Sequence, residues 1–419
     1  MTEATRARPR ARDTGAVIAV AMGVMNVATY GFQMIAARAL GPQDYGAFAA
    51  LMNLMMIVSV MSLGLQATAA RRISSDPASV GAIERAILRV TYRSAIVLGG
   101  VLLALAPLID LVLRLDDLAS AVVVGFVAVP LTIMGGQAGV LQGERRWRWL
   151  ALVYVAAGVP RLLIGGALVL WQPSELSAMV GVAIGAVVPT VVAAVALRTG
   201  RPTGAGAPQP RPGSLLGEVA RSSQALLAFF ALGNVDVIVA RNVLDSHDAG
   251  LYAAGLIMTK AVLFLPQFVV VITFPAMSTV HERRRTLVRG LAAVGGIGIL
   301  ATIGTTLLPG LAMIFVGGSE YAEIESRLWL FAVLGTVLAM LQLLVYAVLA
   351  GEGRRSIYAP WAGLVALVAF GLFCSTPAGL LLVVVGVDAV LLAALVSVSL
   401  YLARAHAIPE DTTVGAKGR

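Results

Sequence analysis

The sequence predicts an all-α polytopic membrane protein: about twelve transmembrane helices in two parallel six-helix lobes around a central cavity. Three observations carry this. The 419 residues are 59% hydrophobic and 13% charged, with a mean hydropathy of +0.89, whereas soluble domains carry roughly 25% charge. Apolar runs near the ~20 residues needed to cross a bilayer core recur along the whole chain. Landmarks of the first half return in the second at a nearly constant offset.

The predicted spans are 15–37, 46–70, 91–113, 118–141, 149–171, 177–197, 223–243, 250–275, 290–316, 328–350, 357–374 and 378–403. Twelve such helices consume about 250 residues, which excludes a sizeable soluble catalytic domain. With the N-terminus in the cytoplasm, 25 of the 31 basic residues fall on the inner side. Only Arg38, Arg114, Arg241 and Arg327 lie outside, while Arg161 and Lys260 lie within spans. This split obeys the positive-inside rule, puts both termini in the cytoplasm and explains a pI near 10.2 without a nucleic-acid partner. Lys260 and Lys417 are the only lysines, a bias that hints at a GC-rich bacterial genome. Four arginines (Arg6, Arg8, Arg10 and Arg12) precede the first span as they would a signal peptide. Its apolar stretch is longer than a signal's and has a twin in the second half, so it reads as a retained helix. The single cysteine, Cys374, excludes an internal disulfide and a Cys-based metal cluster.

The repeat is read at three places. Ala37-Arg38 followed by Asp44-Tyr45-Gly46-Ala47-Phe48-Ala49-Ala50 matches Ala240-Arg241 followed by Asp248-Ala249-Gly250-Leu251-Tyr252-Ala253-Ala254, offset 203–204. Leu105-Ala106-Pro107 matches Leu307-Leu308-Pro309, offset 202, and Val140-Leu141-Gln142-Gly143-Glu144 matches Val348-Leu349-Ala350-Gly351-Glu352, offset 208. Six helices per half is an even number, so both halves enter from the same side and the repeat is parallel. The expected organisation is a lobe at 1–197, a cytoplasmic linker at 198–222 rich in Pro, Gly and Arg (Pro202, Pro208, Pro210, Pro212), a second lobe at 223–404 and a tail at 405–419.

Signals for enzyme chemistry are sparse. His247, His281 and His406 lie far apart in loops or the tail, without metal-ligand spacing. Gly295-Gly296-Ile297-Gly298, and Gly135, Gly139 and Gly143, read as close helix packing. No catalytic residue, metal site or cofactor is predicted. The informative residues are ionisable groups within spans. Arg161, Lys260 and Asp388 fall near the midplane, and Asp236 lies in the outer part of the seventh span beside Asn234. Each costs about 2.5–3.5 kcal/mol to insert. They must therefore pair with one another or face a polar cavity whose cations meet an anionic group. Pro160, Pro189, Pro266 and Pro275 interrupt the surrounding helices, as breaks lining a cavity do. Arg38 and Arg241 are repeat mates at the outer ends of the first and seventh spans, where they snorkel or act as gate cations. Gln33 and Asp236 are also repeat mates, placing polar groups on both halves at similar depth. From Ile83 to Arg93 the pattern fits a short interfacial helix or the start of the third span.

Arg38-Ala39-Leu40-Gly41-Pro42-Gln43-Asp44-Tyr45-Gly46-Ala47-Phe48, then Ser62-Leu63-Gly64-Leu65-Gln66 and Arg71-Arg72-Ile73, resembles the start of bacterial polysaccharide flippases. So does Asn234-Val235-Asp236 with Ala249-Gly250-Leu251-Tyr252-Ala253-Ala254. These are the Wzx-like branch of the multidrug/oligosaccharidyl-lipid/polysaccharide exporter superfamily. The resemblance covers nearly the whole chain, and its turn motif fixes the family better than the cargo.

The resemblance implies a bacterial inner-membrane protein that moves a polyprenyl-pyrophosphate-linked oligosaccharide to the outer leaflet by alternating access. Its implied partners are that lipid-linked glycan, membrane lipids and other polysaccharide-export proteins. Arg161 and Lys260 would meet the phosphates, with Arg38, Arg241, Gln33 and Asn234 also contacting substrate and Asp236 and Asp388 as coupling or cavity acids. The alternative is a proton- or sodium-coupled multidrug or metabolite exporter of the same fold. Drug exporters of the superfamily usually carry an acid in the first helix, where this sequence has Asn26 and Gln33. A glycan polymerase or ligase would need a long outer loop that the sequence lacks, and a non-transporting scaffold would not need midplane charges.

Overall fold

The computed structural model describes residues 11–76, 79–115, 117–199, 212–264, 283–350 and 358–405. Pro266, Pro275, His281, His406, residues 200–211 of the predicted linker and the tail beyond 405 lie outside them. Among the described residues every regular element is helical.

The first helix, α1, runs from Ala11 to Ser75 and holds two spans. Phe32 and Phe48 stack edge-to-face with centroids 5.9 Å apart; a straight helix would hold residues sixteen apart by about 24 Å. The chain therefore folds back between them, at Gly41, whose φ of 70° and ψ of 174° suit a residue without a Cβ, with Pro42 restarting the helix. The third span is α2 (Val80–Ala104) followed by α3 (Ala106–Leu113). Then come α4 (Leu118–Gly143), α5 (Trp147–Pro160) continuing through a π turn at Arg161–Gly165 into α6 (Gly166–Trp171), and α7 (Glu175–Arg198). The second half repeats the order: α8 (Pro212–Leu232) with α9 (Val235–Val243), α10 (Ser246–Phe264), α11 (Arg283–Leu307) with α12 (Pro309–Val316), α13 (Leu328–Ala350), α14 (Tyr358–Gly371) and α15 (Pro377–Ala405). The repeat is visible in lengths as well as sequence, since α3 and α12, which end the third and ninth spans, both have eight residues.

Among the described residues nine helices are long and apolar enough to span a bilayer. The first of them is the hairpin and so supplies two spans, and α14 is a shorter apolar helix. Within the described residues the predicted spans map onto the helices, the eighth (250–275) being described only as far as Phe264, in α10. The main shifts are at α2, which begins at Val80 rather than near 91, and at α8, described from Pro212 rather than near 223.

The first six spans pack mainly on one another, with α4 against α1, α2 and α7; in the second half α13 takes the corresponding place against α10, α11 and α15. Both are repeat mates, and both are gripped through glycines. A Cβ on Gly139 would lie 2.5 Å from the Gln66 carbonyl, and one on Gly143 would lie 2.7 Å from Ile73 Cβ, so α4 meets α1 at backbone distance. This is how membrane helices associate when lipid offers no hydrophobic drive. Of the two readings of the Ile83–Arg93 stretch, the structure has the second, the start of the third span. The stretch belongs to the continuous α2, and Ile83, Ile87 and Val90 are buried against protein while Arg85 and Arg93 face outward.

Gly139→Val should overpack the α1–α4 seam and cost about 1–3 kcal/mol, read as a lower thermal midpoint in detergent. Gly100→Val, where a Cβ would meet nothing within 4 Å, should leave that midpoint unchanged.

Candidate functional site

The lobes meet chiefly where α1 packs on α8, α9 and α10. At this seam Lys260, on α10, donates its Nζ to Asn53 Oδ1 at 2.6 Å and to Asn234 Oδ1 at 3.3 Å. Asn53 belongs to the second span and Asn234 caps α9, so one ammonium bridges both halves. The amides are fixed in turn: Asn53 Nδ2 donates to the Ala49 carbonyl and Asn234 Nδ2 to the Phe230 carbonyl, both at 2.7 Å. This orients each amide oxygen toward the cation. Lys260 therefore lies among neutral acceptors, with Asp236 within electrostatic reach but not in an ion pair. Beside it is a cavity of about 10 Å³, lined by Gln33, Tyr45, Asn53, Lys260 and apolar neighbours, room for about one water. The two lobes thus leave little open space at this point of the seam.

A second cluster fills the interior of the second half. Asp236, 3% exposed, accepts a hydrogen bond from the Tyr252 hydroxyl at 2.8 Å. Its other oxygen and both oxygens of fully buried Asp388 have no hydrogen-bond partner among the described residues. The two carboxyls lie within electrostatic reach of each other, from the seventh and twelfth spans. A pair of like groups in a low-dielectric interior is stable only when a cation or proton is shared there.

Arg161 stands apart from both clusters. Pro160 removes a backbone donor and the helix answers with the π turn that begins at Arg161. The side chain lies along α7 where Gly185 leaves room: a Cβ there would sit 2.8 Å from Arg161 Nε, which has no hydrogen-bond partner among the described residues. Arg161 does not line the seam cavity. The alternative in which Arg161 or Lys260 forms a contact ion pair with Asp236 or Asp388 is not what the structure has. Arg38 and Arg241 do not line the cavity either; both bond backbone carbonyls at helix ends of the opposite lobe. Asn53 was absent from the expected set. Its only sequence signal is an amide inside an apolar run, Leu51-Met52-Asn53-Leu54-Met55.

The family described as "Polysaccharide biosynthesis protein" matches residues 12–281. The chain belongs to that family. Comparison with curated proteins gives no match. Among solved structures, an inward-facing conformation of a multidrug resistance MATE family transporter of the MOP superfamily aligns with TM-score 0.75, 15% identity and coverage of 94% of this chain and 96% of the other. An outward-facing conformation under the same description aligns with TM-score 0.66 at the same identity and coverage. The MATE multidrug transporter DinF-BH in complex with R6G aligns with TM-score 0.70 and 14% identity, covering 96% and 97%. At such identities the likeness speaks for the fold: this member of the polysaccharide biosynthesis family is a multi-pass membrane protein built like a transporter.

Tyr252→Phe removes the hydroxyl that donates to Asp236. It should destabilise the protein by about 1–3 kcal/mol and cost almost nothing in an Asp236→Ala background, measured as a double-mutant cycle of thermal midpoints.

Proposed function

We propose that this protein flips a polyprenyl-pyrophosphate-linked oligosaccharide from the cytoplasmic to the outer leaflet of a bacterial inner membrane, by alternating access of two lobes spanning 1–197 and 223–404. The observation that carries the reading is the Lys260 ammonium at the seam, held by two neutral amides from opposite lobes. A cation without a contact counter-ion, in a place that closes and opens as the lobes rock, suits an anionic cargo. Phosphate oxygens would replace the amide oxygens with stronger, charge-assisted bonds. Asn53 and Asn234 then hold the ammonium while the site is empty, and Gln33 offers a further polar contact. Arg161 serves as a second phosphate contact if substrate widens the first lobe.

Asp236 and Asp388 are assigned to coupling. Their unpartnered oxygens suit a proton or a sodium ion, whose binding would change the packing of the second lobe. The same acids support the second reading, a cation-coupled drug or metabolite exporter, and one protein of this fold, the MATE multidrug transporter DinF-BH, is solved in complex with R6G. Against that reading stands the seam itself, which presents a positive charge where a cationic drug would need a negative one. The transport step breaks no covalent bond, so no catalytic residue or cofactor is assigned. Membrane lipids and other polysaccharide-export proteins are the remaining proposed partners. The better match to an inward-facing than to an outward-facing relative supports a conformation closed on the outer side.

In a deletion strain, prenyl-linked intermediates should accumulate on the cytoplasmic face with loss of surface glycan. Wild type should restore export, and Lys260→Ala or Arg161→Ala should not, at equal protein level. Export surviving both substitutions would refute the phosphate site. Normal surface glycan in the deletion strain, with raised sensitivity to cationic compounds, would favour the exporter reading instead.

A further inference from the structure

The outer ends of the lobes are joined by contacts that the internal repeat makes twice. Arg38, ending the first span, donates Nη2 to the Ile314 carbonyl at 2.5 Å, in the last turn of α12. Its repeat mate Arg241 donates Nε to the Leu113 carbonyl at 2.9 Å and Nη2 to the Arg114 carbonyl, at the end of α3. Helix α3 is in turn the repeat mate of α12. Asn242 adds a bond from Nδ2 to the Val112 carbonyl at 2.9 Å. Each arginine thus takes carbonyls that a helix end leaves without intrahelical partners, at the negative end of the helix dipole. In both cases the arginine comes from one lobe and the carbonyls from the other.

Between the two arginines the lobes touch backbone to backbone. A Cβ on Gly46 would lie 2.9 Å from Gly250 Cα, and a Cβ on Gly250 would collide with the Pro42 carbonyl. Gly46 and Gly250 are repeat mates, so the contact lies on the axis relating the halves. The Tyr321 hydroxyl closes one flank by donating to the Ala37 carbonyl at 2.7 Å.

We propose that Arg38 and Arg241 are paired latches of an outer gate, closed on the Gly46–Gly250 contact, and that both must release before the protein opens outward. Carbonyl acceptors make the latch releasable: a neutral oxygen holds a guanidinium less tightly than a carboxylate would, and the freed carbonyls sit at helix ends that water reaches once the gate parts. This deepens the alternating-access reading and rests on it.

The test is a distance measurement on purified protein without cargo. Spin labels go on Gln172→Cys and Ser375→Cys, outer loop positions of opposite lobes, in a Cys374→Ser background. Arg38→Ala and Arg241→Ala should each raise the ratio of long to short distances about tenfold, the order expected for losing a charge-assisted hydrogen bond. The double variant should exceed either single one, as independent latches require. Arg38 is exposed, so its variant is expected to fold even if buried Arg241→Ala does not, and Asn242→Ala provides a milder probe of the second latch. Distances unchanged in folded Arg38→Ala and Asn242→Ala would overturn the proposal. Widened distances in a protein that moves no glycan would uphold the gate and refute the cargo instead.

Discussion

A charge placed within the hydrocarbon layer must be satisfied by the protein, because no water is there to do it. The rest of the seam follows from how Lys260 meets that constraint. It takes no carboxylate in contact; it takes two amide oxygens, each fixed by its own bond to a helix carbonyl. The charge is tolerated, yet it stays available to a better acceptor. Holding Asn53 and Asn234 within reach of one ammonium also draws the two lobes together, so the site and the closed conformation are one arrangement.

The duplicated scaffold and the unduplicated chemistry divide the work. What recurs is mechanical: the broken third and ninth spans, the central α4 and α13, the glycine crossing and the arginine-capped helix ends. What differs is polar. Asp236 faces Gln33 in the repeat register, Tyr252 faces Phe48, Asn234 faces Gly31, and Lys260 faces Met56. The second lobe therefore carries both the buried acids and the seam cation, while the first contributes a receiving amide and a separate arginine. Under the proposed alternating access, a symmetric frame would rock about a common axis, and an asymmetric interior would let the two lobes take different roles, cargo contact at the seam and ion occupancy within the second half.

The helices and their duplication were legible in the sequence because hydropathy and repeat spacing are local, additive signals. Lys260, Asp236 and Asp388 stood out for the cost of inserting them. Asn53 did not: a neutral amide in an apolar run costs little, and its repeat mate is Ile257, so neither depth nor symmetry marked it. The partners of Arg38 and Arg241 were hidden for another reason, since a carbonyl acceptor has no side-chain signature. The Ile83–Arg93 stretch left two readings open because one apolar face reads alike whether lipid or protein covers it; the cover turned out to be α4, α8 and the second span. The separation of Arg161 from Lys260 depended on the π turn after Pro160, whose phase shift no helical periodicity anticipates.

The most direct test of the account is flipping by the purified protein in liposomes. A short-chain prenyl-pyrophosphate oligosaccharide would be loaded in both leaflets and its outer share read by a glycosidase added outside. Wild type should make the inner pool accessible within minutes, and Lys260→Ala should slow this at least tenfold while remaining folded and monodisperse. Equal rates for the two proteins, or no flipping by wild type under any imposed proton or sodium gradient, would contradict the account.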